Sequence, residues 1–174
     1  YSSDVIDKWL TLELRLFKHA KGIGNGAFAR PFAYSGICAF ESTDPGKDSW
    51  KGKYNGLADL PSTDKLKIYH WPSSVNASLA EFNRLFFTTA NSSQVDIAAI
   101  DSLEAAIHAG FSGLQPALAN VSEDFGKSIA DAVFAWSQTD GYPQNNALVY
   151  TPPVGPGRWV PTPPAFAKAS GPYW

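Results

Sequence analysis

Residues 4–21 read DVIDKWLTLELRLFKHAK, and this stretch decides the class of fold that the chain adopts. A first row of apolar residues recurs at helical spacing and consists of Val5, Trp9, Leu12, Leu16 and Ala20. A second row lies beside it and consists of Ile6, Leu10, Leu14 and Phe17. Two adjacent apolar rows predict an amphipathic helix with one broad apolar face. The glycines of residues 22–26 then end the helix,.

The same periodicity predicts four further helices downstream. The second covers residues 27–41 and carries a seam of small residues, Ala29, Ala33, Gly36 and Ala39, that would let another backbone approach closely. The third opens at Trp71-Pro72-Ser73-Ser74, with a serine as its cap,. The fourth follows Ser92 or Ser93, and Asp96 lies three residues after Ser93 in the manner of a capping box,. The fifth covers residues 121–138. Residues 111–120 are ambiguous, because Gly110, Gly113 and Pro116 interrupt the pattern.

Two stretches lack any period. Residues 42–71 are rich in turn residues and predict a long structured loop held by its own aromatic side chains,. After Gly141 the prolines preclude a regular helix or a central strand, while aromatic residues alternate with them,. We interpret residues 142–174 as an extended strap packed on a helical domain of residues 1–141; the alternative is a proline-rich ligand for an aromatic groove. The predicted architecture is all-α, a bundle of about five helices.

Composition excludes several classes of protein. The chain has 14 Lys and Arg against 16 Asp and Glu, a net charge of −2, so it lacks the basic footprint of a nucleic-acid partner,. The single cysteine, Cys38, excludes a disulfide framework and a zinc site built on several cysteines, and we expect it to be a small core residue,. No apolar run approaches the roughly 18 residues of a transmembrane segment.

Chemistry-bearing motifs are missing from the sequence. His19, His70 and His108 lie far apart, and none has a second ligand at metal-binding spacing,. Nucleophile elbows and phosphate-binding glycine loops do not occur,. The glycines of residues 22–26 precede a helix, but a turn between two helices accounts for them without a bound anion. We therefore predict no catalytic, cofactor-binding or metal-binding residue in this chain.

An ordered set of short phrases carries a family resemblance. In the first 141 residues these include Asp7-Lys8-Trp9, Phe28-Ala29-Arg30-Pro31-Phe32-Ala33-Tyr34, His70-Trp71-Pro72, Trp136-Ser137 and Thr139-Asp140-Gly141. In the tail they are Gly157-Arg158-Trp159-Val160-Pro161-Thr162-Pro163-Pro164 and Gly171-Pro172-Tyr173-Trp174. In this order they resemble the N-terminal half of bacterial vanadium-dependent haloperoxidase-like proteins, within the type 2 phosphatidic acid phosphatase superfamily. The positions that the resemblance marks as structural signatures are Trp9, Arg30, Trp71, Pro72, Asp140, Gly141, Trp159, Pro163, Pro164 and Trp174.

The resemblance implies a parent protein that binds vanadate and oxidises halide with peroxide, or that hydrolyses phosphate monoesters in the same pocket. The family's oxyanion pocket uses a Lys and Arg-Pro motif, a Pro-Ser-Gly-His motif and a Ser-Arg…His segment. None is present here: Arg30-Pro31 lies in the wrong part of the chain, and Pro72-Ser73-Ser74 lacks the Gly-His. This chain would then be a non-catalytic scaffold portion, and vanadate would belong to the full-length parent.

The resemblance also implies a partner and a location. The partner would be the missing C-terminal catalytic half, because family members continue past the Pro-Tyr-Trp phrase; we therefore expect Trp174 to be an artificial or proteolytic end. Self-association could cover the same surface, and relatives are often exported to the periplasm or cell envelope. The alternative is a free-standing helical binding module that uses the tail or the long loop. A scaffold portion should expose an unusually large apolar surface, and a complete module should not.

Overall fold

The computed structural model describes residues 2–23, 29–43, 60–142, 144, 148 and 150–166. Within these ranges the chain forms five helices and no strand: α1 Asp4–His19, α2 Ala29–Glu41, α3 Trp71–Phe86, α4 Gln94–Ala109 and α5 Pro116–Ser137. The predicted all-α class is confirmed. None of the described helices combines the length and the hydropathy needed to cross a membrane.

The chain divides into two compact units, Tyr1–Trp136 and Ser137–Trp174. The five helices belong to the first unit, apart from the last residue of α5. The boundary that the sequence predicts after residue 141 stays a prediction.

Helix α1 buries one row of its apolar residues and exposes most of the other. Trp9, Leu12, Leu16 and Phe17 are buried, as predicted. Ile6, Leu10 and Leu14 are 38%, 42% and 63% exposed, so the broad apolar face of α1 is buried only in part. The reason is tertiary: α1 packs on α3 and α4 along a single stripe, and the second row lies beyond that contact.

Helix α3 is the centre of the bundle. It packs against α1, α2 and α4, and its residues from Ser73 to Ala80 are all buried. Helix α5 also meets it, since a Cβ placed on Gly126 would lie 2.1 Å from the carbonyl oxygen of Ser74. The many small residues of α3 allow its neighbours to approach this closely.

The helix starts confirm some of the local predictions and correct others. Ser93 caps α4 and accepts a hydrogen bond from the Asp96 backbone N–H, as the capping box predicts. The serine cap predicted for α3 was wrong, because His70 occupies the N-cap position while Ser73 and Ser74 are buried inside the helix. Helix α5 begins at Pro116 rather than at residue 121, since a proline is tolerated in the first turn,.

The two non-periodic stretches are described only in part. Residues 60–70 of the predicted loop contain no helix or strand, and residues 44–59 lie outside the described part of the chain. Residues 150–166 of the strap also contain neither, and a turn joins the Arg158 N–H to the Gly155 carbonyl. Val154, Val160 and Phe166 are exposed. Packing of the strap on the helices stays a prediction.

Candidate functional site

Trp9 joins three helices through a buried hydrogen-bond chain. Its indole Nε1–H donates to Asn76 Oδ1 on α3 at 2.9 Å, and both residues are buried. Asn76 Nδ2 donates in turn to the Glu104 carbonyl oxygen on α4 at 3.1 Å. This signature residue therefore holds α1, α3 and α4 together.

Arg30 is a buried cation at the start of α2. Its guanidinium carbon lies 5.3 Å from the centroid of the Tyr34 ring, a cation–π contact,. The Tyr34 ring meets Trp136 of α5 edge-on, with 5.4 Å between the ring centroids. The contact ties α2 to α5 and places Arg30 in the core rather than in an open anion pocket.

The start of α3 is anchored by aromatic and polar contacts. Trp71 stacks on Tyr69, with the centroids 5.4 Å apart, and both rings meet Phe125 of α5. Pro72 lies in the first turn of α3, where its missing N–H costs little,. The His70 backbone N–H donates to Ser122 Oγ at 2.8 Å, and partial burial lowers the pKa of the His70 ring.

The remaining signature residues lie in the second unit. The Asp140 side chain accepts a hydrogen bond from the Tyr142 N–H at 2.9 Å, and Gly141 has a φ of +83°, which favours glycine,. Pro163 and Pro164 are joined by a cis peptide bond, and Trp159 is 48% exposed. Trp174 lies outside the described residues.

The signature residues of the first unit, whose contacts are given above, take part in separate contacts and do not form one site.

A buried polar cluster between α1, α2 and α3 escaped the sequence predictions. Ser35 Oγ donates to Glu13 Oε1 at 2.6 Å, and Asn83 Nδ2 donates to the same oxygen at 2.9 Å. Burial raises the pKa of the Cys38 thiol, which lies beside Ser78 and near Glu13. Cys38 is fully buried, as expected of a small core residue. Glu13 follows Trp9 by one helical turn, and that spacing was the signal that could have found it.

A second cluster joins the end of α1 to the start of α4. The Asp96 carboxylate accepts from Arg15 Nη2 at 3.0 Å, lies 3.2 Å from His19 Nδ1, and accepts from Ser93 Oγ at 2.8 Å. The Ser93 hydrogen bond is the largest influence that lowers the pKa of Asp96, and His19 and Arg15 lower it further. The cluster is an ion-paired helix start, and Arg15 is engaged there.

Beside this cluster, α1 and α4 enclose an open groove of about 1000 Å³. Its wall is mostly apolar and includes Leu12, Ala99 and Leu103, while Asp7 and Lys8 of α1 add charge. Thr11, Arg15 and Ser102 also line the groove, and Arg15 is already bonded to Asp96.

The small-residue seam of α2 lies on the outside of the first unit. Ala29, Ala33 and Gly36 are exposed, and Ala39 is half-buried. A Cβ placed on Gly36 would meet no atom within 4 Å. The only two charged residues in α2 are Arg30, which is buried, and Glu41 at its last position. The outer face of α2 is therefore flat and uncharged.

Arg15, Arg30 and Arg84 are engaged at separate places in the first unit. Arg84 bonds to Glu104 and Asp101, Arg15 to Asp96, and Arg30 packs on Tyr34, so these cations do not converge on a common point. Ser73 Oγ lies 2.8 Å from His70 Nδ1, and Ser73 is buried inside α3. Among the described residues, no group of three or more His, Cys, Asp and Glu side chains is placed to hold a metal ion.

The comparison with solved structures defines the class of fold: it is haloperoxidase-like, as the sequence resemblance predicts. The particular structure matched is that of a bacterial vanadium-dependent iodoperoxidase, with a TM-score of 0.74 and 25% sequence identity. The match covers 94% of this chain and 39% of that one, so this chain spans well under half the length of the protein it resembles. No family model matches the sequence. No curated protein matches it either.

Proposed function

We propose that this chain is the N-terminal, non-catalytic scaffold portion of a vanadium haloperoxidase or of a related phosphoesterase. The parent would bind vanadate or phosphate and would oxidise halide with peroxide or hydrolyse phosphate monoesters. One observation carries the proposal: the structural match takes in 94% of this chain but only 39% of the iodoperoxidase. The unmatched remainder of that protein leaves ample length for a catalytic part.

The positions of the arginines also support a scaffold portion that does not itself bind vanadate. An oxyanion site needs cations and hydrogen-bond donors that converge on one point. Arg15, Arg30 and Arg84 instead neutralise carboxylates or pack on a ring inside the bundle. These residues do not fit vanadate, so we assign vanadate binding to the part of the parent outside this chain.

The proposal also names a docking surface. We assign to it the exposed row of α1, Ile6, Leu10 and Leu14, and the uncharged outer face of α2, because larger exposed apolar patches mark interaction sites. The small residues Ala29, Ala33 and Gly36 would allow a helix backbone to approach α2 closely. The occupant we propose is the catalytic part of the same parent, because the matched protein is much longer than this chain.

Activity assays test the proposal directly. We expect the 174-residue chain to show no oxidation of iodide or bromide and no phosphomonoesterase activity, with or without vanadate. The native gene product should have an intact mass well above 18.8 kDa and should carry the activity. Activity in the short chain itself would overturn the proposal.

Variants on the docking surface provide a second test. We expect Leu14→Lys and Gly36→Leu to reduce co-purification with the remainder of the gene product, expressed separately, by about tenfold or more, because a lost interface contact of about 1.4 kcal/mol has that effect. The matched control is Leu66→Lys, since Leu66 is exposed outside this surface. Equal co-purification of all three variants would show that the catalytic part binds elsewhere.

A further inference from the structure

Glu13 is a carboxyl group inside the core of the bundle. The residue is 1% exposed and lies between α2, which contributes Ser35, and α3, which contributes Asn83. Both hydrogen bonds reach Oε1, whereas Oε2 is buried without a hydrogen-bond partner among the described residues. The two oxygens of one carboxyl group therefore have very different surroundings.

This asymmetry matches a neutral carboxylic acid better than a carboxylate. In the neutral form, the carbonyl oxygen accepts up to two hydrogen bonds and the other oxygen carries a proton. In the ionised form, both oxygens share the charge, and Oε2 would hold part of it in the core with no donor. A buried charge without a partner costs far more free energy than an unmade hydrogen bond.

Among the residues that the structure describes, no positive charge acts on Glu13. Burial raises the pKa of Glu13, and the hydrogen bonds from Ser35 and Asn83 lower it by less. From α2 the titratable neighbour is Cys38, and burial raises the pKa of its thiol, so this neighbour is uncharged. The titratable residue of α4 at its contact with α1 is Asp96, whose carboxylate contacts Arg15 and His19 of α1. Those two residues lie two and six positions after Glu13, on the far side of a helix with about 3.6 residues per turn.

We propose that Glu13 is a proton-binding site of the folded chain, with the proton held on Oε2 at neutral pH and the neutral carboxyl joining α1 to α2 and α3. Raising the pH until Glu13 ionises would place an unpaired charge at this junction and loosen it. The folded chain would hold a proton that the unfolded chain releases above the ordinary pKa of glutamate. Stability must then fall as the pH rises through that window, until Glu13 is ionised in the folded state as well.

Infrared spectroscopy of the folded chain tests the protonation state directly. With isotope-labelled glutamate at neutral pH, we expect the stretching band of one protonated carboxyl group, which Glu13→Gln removes and which disappears when the pH is raised. Glu123→Gln is the matched control, because Glu123 pairs with a half-exposed histidine at the surface and its loss should leave the band unchanged. Absence of the band in the unmutated protein would overturn the proposal, and this measurement does not depend on whether the variant folds.

Denaturation at several pH values gives a second readout. Relative to Glu13→Gln, the unfolding constant of the unmutated chain should rise about tenfold for each pH unit above the ordinary glutamate range, the effect of one proton. An identical pH dependence in the two proteins would also overturn the proposal. This result does not depend on whether the chain is part of an enzyme, since only the unfolding constants of the two proteins are compared.

Discussion

At the scale of single residues, the contact between Gly126 and Ser74 sets how closely α5 approaches α3. A Cβ at position 126 would lie 2.1 Å from the Ser74 carbonyl oxygen and 2.9 Å from its carbonyl carbon. Both are backbone atoms that cannot rotate away, so only glycine fits without moving a helix. The requirement arises from close approach and not from backbone conformation.

We expect Gly126→Ala to lower the free energy of unfolding by about 1–3 kcal/mol or more, as overpacked cores do. Gly36→Ala is the matched control, because its new Cβ would meet nothing within 4 Å. For Gly36→Ala we expect the free energy of unfolding to rise by about 0.5–1 kcal/mol, since alanine favours the helix more than glycine does. Chemical denaturation measures the free energy of unfolding of both variants. A higher value for Gly126→Ala would show that α5 does not approach α3 as closely as the Gly126–Ser74 contact requires.

Trp9 leads to a second prediction at this scale. Trp9→Phe removes the donor to Asn76 Oδ1 and leaves that buried oxygen unpaired. The unpaired oxygen alone should lower the free energy of unfolding by about 1–3 kcal/mol. Trp159→Phe, at a half-exposed position, should change it by no more than about 0.5 kcal/mol,. Thermal or urea unfolding distinguishes the two variants, and equal effects would contradict the role assigned to Trp9.

At the scale of elements, the start of α4 shows how charge contributes to stability. Hydrogen bonds from Ser93 and the neighbouring His19 and Arg15 lower the pKa of Asp96 below its ordinary value. A carboxyl group with a lowered pKa in the folded state stabilises the fold above its unfolded pKa. That contribution is lost as the pH falls through the lowered value.

We therefore expect Asp96→Asn to be less stable than the unmutated chain at neutral pH. The difference should shrink as the pH falls below about 3.9, the ordinary pKa of aspartate. Urea unfolding across the acid range measures it. Asp131→Asn, at an exposed position, should show no such convergence, and a constant difference for Asp96→Asn would contradict the ion-paired geometry.

The same elements show which local predictions succeed. The bounds of α1 and the cap of α4 were predictable, because their signals lie within a few residues of each other along the chain. The cap of α3 could not be predicted in this way. Its N-cap residue, His70, is held by a hydrogen bond from its backbone N–H to Ser122, which lies 52 residues away along the chain. The early start of α5 was missed because Gly113 and Pro116 look alike as interruptions, although a proline is suited to a first turn,.

At the scale of the whole molecule, the exposed apolar row of α1 is the main feature on which the proposed docking surface rests. Leu10 and Leu14 belong to the broad apolar face that the sequence predicts for α1. The bundle uses only one stripe of α1, and this leaves the second row at the surface. The activity and co-purification tests proposed above decide whether a catalytic part covers that row.

Sequence alone determined the all-α class, most helix positions, the absence of recognisable catalytic motifs and the haloperoxidase-like resemblance. These follow from periodicity and from ordered short motifs, which are properties of neighbouring residues. Only the tertiary structure decided which apolar row of α1 is buried, that Gly126 must be glycine, and that Glu13 lies in the core with one unpartnered oxygen. Those outcomes depend on which helices pack together, and a periodic pattern specifies an apolar face without specifying what covers it.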